Sequence, residues 1–304
     1  MRRLPPYYLT MVSRFSAGCL AGLIGVTVVG TPAWAEGMLF PGARPLGTGG
    51  AMRAVATGDA GPMLNPSGIS LMRSYALEGG YQYGKTPGSH DLRLSAVDST
   101  SAFNLGGALY YSYHRDSPTD AVTQSGHLVG GSLSFPFLDK LFAGANIKYV
   151  HFADAAAVTH KGFTFDAGVT VRPIPQISVG GVAYNLRDLD TEWAPLGFGG
   201  GVAALPMPAL LLVFDTVWTK VKGDLARDHV WSYMGGGEFS FATIAAFRAG
   251  GGHDGLTRNS YASAGITALA SEVGALDLGV RQDVSGTSKS TIVGVSARLF
   301  VPTM

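Results

Sequence analysis

Apolar and polar residues alternate with a period of two along most of the chain after Tyr75. In residues 163–171, phenylalanine, alanine and valine occupy the odd positions, whereas threonine, aspartate and glycine occupy the even ones. The same alternation returns in residues 276–281 and 293–299. Successive side chains of a β-strand point to opposite faces, and no face of a helix collects residues in this way. The pattern therefore predicts strands with one apolar face.

Segments of this kind recur fourteen times, although residues 177–187 and 210–221 carry apolar side chains on both faces. The predicted strands are 75–83, 90–98, 103–114, 126–136, 141–152, 162–172, 177–187, 196–205, 210–220, 229–241, 243–252, 259–269, 273–283 and 290–301.

The connections between these segments alternate in length. Odd-numbered connections are predicted to be longer and polar, and even-numbered ones are mostly tight. Outer-membrane barrels have an even number of strands, with short periplasmic turns at one end and longer loops at the other. The alternative folds are a β-sandwich and a propeller. Neither has a physical reason for short and long connections to alternate along the chain. We therefore predict an all-β fold, a 14-stranded antiparallel transmembrane β-barrel, with both termini in the periplasm of a Gram-negative cell.

Aromatic residues lie near the predicted longer loops, namely Tyr111, Tyr113, Trp218 and Trp231. Tyrosine and tryptophan are enriched at both membrane–water interfaces. The alternative is that these rings cap a soluble core. Together with the strand pattern, they favour an interfacial belt.

Composition excludes several classes of protein. Glycine accounts for 43 of 304 residues, 46% of the chain is hydrophobic and only 14% is charged. Disordered chains need high charge and little apolar content. Glycine also costs about 1 kcal/mol at each helix-interior position, which argues against a helical bundle. The net charge of +1 argues against a nucleic-acid binder.

The first 35 residues have the pattern of a secretory signal. Arginines at the start precede the apolar run Cys19–Val29, and Ala33-Trp34-Ala35 supplies a small-residue cleavage site. We predict that residues 1–35 are cleaved. Cys19 is the only cysteine of the chain. The mature protein is therefore expected to contain neither a disulfide nor a thiolate metal site.

Catalytic and metal-binding patterns are weak. The glycines of residues 47–50 do not lie in a βαβ unit, and the seven histidines form no zinc-ligand pair. The pairs His114–Asp116 and His253–Asp254, and the carboxylates of residues 188–192, are the remaining candidates for rim catalysis or calcium binding. Polar residues are common in loops, so we expect neither an enzyme nor a cofactor or metal.

Two stretches carry a family resemblance. Residues 42–51 read G-A-R-P-L-G-T-G-G-A and residues 65–68 read N-P-S-G, in a region without the strand pattern. Farther on come D-A-G at 166–168, R-P at 172–173 and Y-N-L at 184–186. In order and spacing, these motifs resemble the FadL-type outer-membrane proteins and their PorV-like relatives.

The resemblance implies a barrel of fourteen strands with the amino-terminal segment folded into the lumen as a hatch. Residues 36–74 would then be the plug and 75–304 the barrel, whereas the alternative is a periplasmic linker at 36–74. The chain departs from the family in Ser67, where alanine is usual, and in its compact loops, which leave little room to capture a ligand at the surface. The residues that carry the plug motifs are Gly47, Gly49, Gly50, Asn65, Pro66, Ser67 and Gly68.

The face opposite the apolar one carries six basic and five acidic residues. A nearly neutral mixture suits side chains that pair across the lumen and with the plug, whereas an open porin is expected to carry rings of one sign. Alternatively, some of these residues line a gated passage. The lumen-facing candidates are Glu78, Arg93, Lys148, Asp166, Arg172, Asp215, Glu238, Arg248, Asp277, Arg281 and Arg298.

Two functions follow from these expectations. The first is passive transport of a small hydrophobic, fatty-acid-like compound across the outer membrane, through movement of the plug and a lateral gap between glycine-rich strands. Candidate positions for the gap are 106–107, 130–131 and 199–201. The alternative is a barrel that transports nothing and serves envelope secretion machinery as a scaffold. The expected partners are outer-membrane lipid, the hydrophobic ligand and, in the second case, envelope proteins, but not nucleic acid.

Overall fold

The computed structural model describes most of the chain from residue 41 onward. The predicted signal segment 1–35 and residues 36–40 lie outside the described part. The described residues are 41–86, 88–101, 105–116, 124–153, 158–189, 191, 193–222, 227–241, 244–268, 271, 273–286 and 289–301.

Fourteen antiparallel strands form one closed barrel, in which each strand pairs with its neighbours in sequence and β1 pairs with β14. The predicted fold class is confirmed. The strands are β1 (Tyr75–Gly84), β2 (Ser89–Asp98), β3 (Gly106–Asp116), β4 (Gln124–Leu138), β5 (Leu141–Ala153), β6 (Thr159–Ile174), β7 (Ile177–Tyr184), β8 (Gly197–Met207), β9 (Leu210–Lys220), β10 (His229–Phe241), β11 (Ala245–Asp254), β12 (Asn259–Ala268), β13 (Gly274–Ser285) and β14 (Thr291–Phe300).

Strand ends differ from the prediction in places. β7 ends at Tyr184 rather than at residue 187, because Asn185 has a φ of +53° and turns the chain out of the sheet.

The alternation of loop lengths is weaker than predicted. The connection between β1 and β2, predicted to be long, comprises only residues 85–88. The connection between β2 and β3, predicted to be tight, comprises residues 99–105. Backbone pairing continues into polar segments at the ends of some strands, which lengthens the strands and shortens the loops. The alternation of side chains does not reveal this pairing. We call the end with the odd-numbered connections the long-loop end and the other the short-turn end.

The two faces of the barrel wall have opposite chemistry. Large apolar side chains point outward, such as Leu109, which is 71% exposed, and Leu133, which is 59% exposed. Charged side chains such as Arg93 and Lys148 point inward and are almost completely buried. An exposed apolar band around a closed barrel is what a lipid bilayer requires. No helix in the described part of the chain is long and apolar enough to cross a membrane.

Residues 41–74 lie inside the barrel, and we call this segment the plug. It contains two short helices, α1 (Ala43–Gly47) and α2 (Ala60–Leu64), and a 3₁₀ helix at Pro66–Leu71. α1 packs against β11–β14, and the 3₁₀ helix packs against β3–β6. The plug therefore contacts walls on both sides of the lumen before the chain enters β1.

Candidate functional site

The Asn-Pro-Ser turn of the plug is anchored to β6 through Asn65. Its side-chain amide donates to the carbonyl oxygen of Arg53 at 2.9 Å and to the hydroxyl of Thr170 at 3.2 Å. Its oxygen accepts from the backbone N–H of Ser67 at 3.2 Å, which caps the 3₁₀ helix that begins with Pro66. The Ser67 hydroxyl is 2.7 Å from the Asn65 oxygen and 2.8 Å from that of Thr170. The serine that replaces the usual alanine thus closes a hydrogen-bonded ring between the plug and the wall.

Glycines on the inner wall make room for this turn. A Cβ at Gly168 would collide with the side-chain oxygen of Asn65, and one at Gly144 would collide with the backbone of Pro66. The adjacent strand repeats the arrangement, since a Cβ at Gly180 would lie 2.6 Å from the carbonyl oxygen of Arg53. Part of the high glycine content is therefore explained by close packing of the plug against the wall.

The glycine-rich motif around α1 contacts the opposite wall. Gly49 and Gly50 have φ values of +74° and +84°, a region that strongly favours glycine. The carbonyl of Gly49 accepts from the Tyr261 hydroxyl at 2.7 Å, and that of Gly47 accepts from Ser263 at 3.1 Å. Both ends of the plug are thus hydrogen-bonded to strands.

A buried ion pair links the middle of the plug to β9. Arg53 Nη1 lies 3.2 Å from Asp215 Oδ2, and neither side chain is more than 7% exposed. The same carboxylate oxygen accepts from the backbone N–H groups of Met52 and Arg53 at 2.9 and 2.8 Å. The Tyr184 hydroxyl accepts from Arg53 Nε at 2.9 Å and donates to the carbonyl of Leu64. This cluster joins two segments of the plug, at residues 52–53 and at Leu64, to β7 and β9.

A second charge cluster joins the plug to β1, β2, β10, β11, β13 and β14. It consists of four arginines and four carboxylates, Arg44, Arg93, Arg248, Arg298, Asp59, Glu78, Glu238 and Asp277. Arg44 makes two hydrogen bonds of 2.8 Å to Glu238, and Asp59 pairs with Arg93. Burial lowers the pKa of Arg44, but the attraction of Glu238 outweighs it, so the pKa lies above its ordinary value. The charges of the cluster neutralise one another.

The remaining lumen candidates lie on the same inner face. Lys148 Nζ lies 2.7 Å from Asp166, and Arg172 donates to the Ser178 hydroxyl at 3.2 Å. Arg281 Nη2 lies 3.5 Å from Asp254 Oδ2 on β11, and Arg281 Nε lies 3.3 Å from Asp283 Oδ1 on β13. The structure thus places all eleven predicted positions inside the barrel, where most are paired with the plug or with each other.

The ladder is continuous at the three glycine segments predicted to open a lateral gap. Residues 106–107, 130–131 and 199–201 all keep regular register with their neighbours. Two of these segments pack against the plug through glycines that face the lumen. A Cβ at Gly106 would lie 2.7 Å from Ile69, and one at Gly199 would lie 2.9 Å from Arg53. In this structure these glycines therefore allow close packing inside the barrel rather than an opening in its wall.

A cavity of about 160 Å³ lies between the plug and the long-loop end. Its floor is formed by plug residues, among them Leu46, Met63 and Leu64, and polar groups such as Arg53 and Lys148 reach its edge. Its walls are mainly apolar and include Leu128, Val150, Tyr184, Val217, Met234 and Ile292. This cavity could not be predicted from the sequence, because its lining comes from many strands and each lining side chain resembles any other inward residue.

The connection between β7 and β8 folds over this cavity. Trp193 is buried and stacks on Phe152, with ring centroids 3.5 Å apart. His114 lies beside it, with its Nδ1 atom 2.6 Å from Asp91 and its Nε2 atom 3.1 Å from Asp116. Across the described ranges, no group of three or more histidine, cysteine or acidic residues is arranged to hold a metal ion.

No protein-family model matches the chain, and no curated protein matches it in sequence. Solved structures do match. The CymD monoaromatic hydrocarbon channel has a TM-score of 0.65 at 14% identity, over 86% of this chain and 98% of that one. A Pseudomonas aeruginosa FadL homologue has a TM-score of 0.63 at 12% identity, over 85% and 98% of the two chains. The Pseudomonas putida toluene transporter TodX has a TM-score of 0.61 at 10% identity, over 85% and 96%.

At these identities the similarity establishes the fold. The chain has the fold of the FadL-type channels, which confirms at that level the resemblance inferred from the motifs. Of these structures, CymD is described as a monoaromatic hydrocarbon channel and TodX as a toluene transporter.

Proposed function

We propose that this protein is an outer-membrane channel that passes small apolar compounds, of the size of one aromatic ring, through its lumen. The observation that carries this proposal is the apolar cavity of about 160 Å³ above the plug. In other proteins an apolar cavity of about 150 Å³ stays dry and holds benzene. The similar folds of a monoaromatic hydrocarbon channel and a toluene transporter support the same size and class of ligand.

The proposed route runs from the long-loop end, past the Trp193 loop, into the cavity and then past the displaced plug. Under this proposal the short-turn end, where β1 begins and β14 ends, faces the periplasm. The ligand is held mainly by apolar contact, and the cations that reach the edge of the cavity, such as Arg53 and Lys148, are paired with carboxylates. These paired charges do not form the ring of one sign that would select an ion.

Filling the cavity is expected to block transport. Val150→Trp places a large ring where Val150, 1% exposed, lines the cavity, and we expect uptake of toluene into proteoliposomes to fall at least about tenfold, because no ring-sized space is left. The matched control is Val129→Trp on the lipid-facing side, where Val129 is 52% exposed, and it should leave uptake unchanged.

A barrel that serves only as a scaffold is expected to transport no toluene. If the wild-type protein takes up toluene no faster than protein-free vesicles do, transport is excluded and a scaffold role for envelope partners is favoured. If both tryptophan variants reduce uptake equally, the route does not run through this cavity. Both variants must retain the heat-modifiable gel mobility of a folded barrel.

A further inference from the structure

The outer face of β2–β6 changes its chemistry toward the long-loop end. On β5 the outward residues run from Ala145 through Ile147 and Tyr149 to His151, and β3 and β6 follow the same order from aliphatic to aromatic to basic. On β2 and β4 a histidine follows the aliphatic residues directly. Tyrosines at a barrel surface mark the level at which the hydrocarbon region ends and headgroups begin. The basic residues beyond them therefore lie among lipid headgroups or next to them.

Five basic residues occupy this level, one on each of five adjacent strands. We call them the basic row, His90 on β2, Arg115 on β3, His127 on β4, His151 on β5 and Lys161 on β6. Cross-strand pairing places three pairs of them directly opposite one another: His90 with Arg115, His127 with His151, and His151 with Lys161. Between β3 and β4 the row is offset by two residues, because Arg115 pairs with Ser125. Opposed residues have Cβ atoms about 5 Å apart, so each pair brings two nitrogen-bearing side chains within reach of one anion.

Carboxylates do not neutralise the row within the described part of the chain, where none of its five members takes part in an ion pair. The other side of the barrel differs. There Lys220 lies 3.2 Å from Asp188, and His229 lies 2.5 Å from Asp228. The basic row thus differs from Lys220 and His229 on the other side of the barrel, which have carboxylate partners.

Tyrosines hold two of the histidines in place. The Tyr81 hydroxyl lies 2.6 Å from Nδ1 of His90, and that of Tyr111 lies 2.8 Å from Nδ1 of His127. With Nδ1 engaged, Nε2 remains as the group that can donate to an outside acceptor. The ring centroids of His127 and His151 lie 6.4 Å apart, which is close enough for one headgroup to contact both rings.

We propose that the basic row binds the phosphate groups of an anionic lipid headgroup in the leaflet at the long-loop end. Arginine and lysine supply charge, the histidine Nε2 atoms supply further donors, and the tyrosines below contact the first carbons of the lipid chains. The lipid would occupy one sector of the barrel, because the opposite sector carries Trp218, Trp231 and paired charges instead. This site is independent of what passes through the lumen.

The test is native mass spectrometry of the full chain in non-ionic detergent, titrated with lipid A, a bis-phosphorylated glycolipid. The probe variant is Arg115→Gln/Lys161→Gln. Each cation at an anionic lipid surface contributes about five-fold in affinity, so we expect the double variant to bind about twenty-five-fold more weakly. The matched control is Lys140→Gln/Lys289→Gln, which removes two exposed charges outside the row and should bind as the wild type does.

Three outcomes would overturn the proposal. The first is equal weakening in the probe and control variants, which would indicate attraction by overall charge only. The second is wild-type binding of lipid A no tighter than that of a zwitterionic phospholipid. The third is displacement of the lipid by inorganic phosphate at concentrations comparable to that of the lipid, which would make the row a site for free phosphate rather than for a membrane lipid. The single variants should each show about a five-fold loss.

Discussion

Deletion of residues 36–74 is expected to convert a nearly closed barrel into a wide pore. A barrel of fourteen strands encloses a lumen close in width to that of sixteen-stranded porins, and the described part of this segment fills it from wall to wall. Single-channel conductance in planar bilayers should therefore rise by about tenfold or more, because porins of similar width hold an aqueous channel. Unchanged conductance in a folded deletion variant would show that the segment does not close the lumen.

A point substitution provides a second route to the same result. Gly168→Leu places a side chain where Asn65 docks and should unseat the turn while leaving the wall intact. We expect open-channel events well above those of the wild type. The control is Gly107→Leu, an outward position where an added Cβ would meet nothing closer than an oxygen at 3.9 Å, and it should behave as the wild type does.

Removal of the carboxylate of Asp215 is expected to release the middle of the plug. This side chain is completely buried, and it accepts from Arg53 and from two backbone N–H groups. Breaking a buried ion pair by removing one partner costs about 3–5 kcal/mol, because the other charge stays buried without it. Asp215→Ala should therefore raise the open probability in planar bilayers and make the plug sensitive to trypsin at Arg53.

Two further variants separate charge from hydrogen bonding at this site. Asp215→Asn keeps an acceptor for the backbone N–H groups of Met52 and Arg53, and it should unseat the plug less than alanine does. Arg53→Met/Asp215→Asn removes both charges and should approach wild-type closure, because the cost comes from the uncompensated charge. If all three variants stay as closed as the wild type, the ion pair does not hold the plug.

Period-two alternation was enough to predict the barrel and the inner face of its strands. Asp166 and Arg172 could be placed inside because residues of one strand share a face with every second neighbour. The strand ends were less predictable. The turn at Asn185 depends on a positive φ, and the pairing of β6 from Thr159 onward depends on backbone hydrogen bonds that leave no trace in side-chain pattern.

The plug was recognised by its motifs, but its partners could not be predicted. Asn65 docks on Thr170 because the barrel register brings together residues more than 100 positions apart. Arg53 and Asp59 were missed because the segment has no hydrophobic period that would mark an inward face. Trp193 was missed for a related reason, since a loop that folds into the lumen looks in sequence like any other loop.

The proposed channel requires that the cavity above the plug binds a compound with one aromatic ring. This binding is observed most directly by anomalous X-ray diffraction from crystals of the full chain soaked in bromobenzene. We expect a bromine peak inside the barrel, within van der Waals contact of Val150 and Met234, and its loss in the Val150→Trp variant. Bromine bound only on the outer face of the barrel, with the cavity empty, would contradict it.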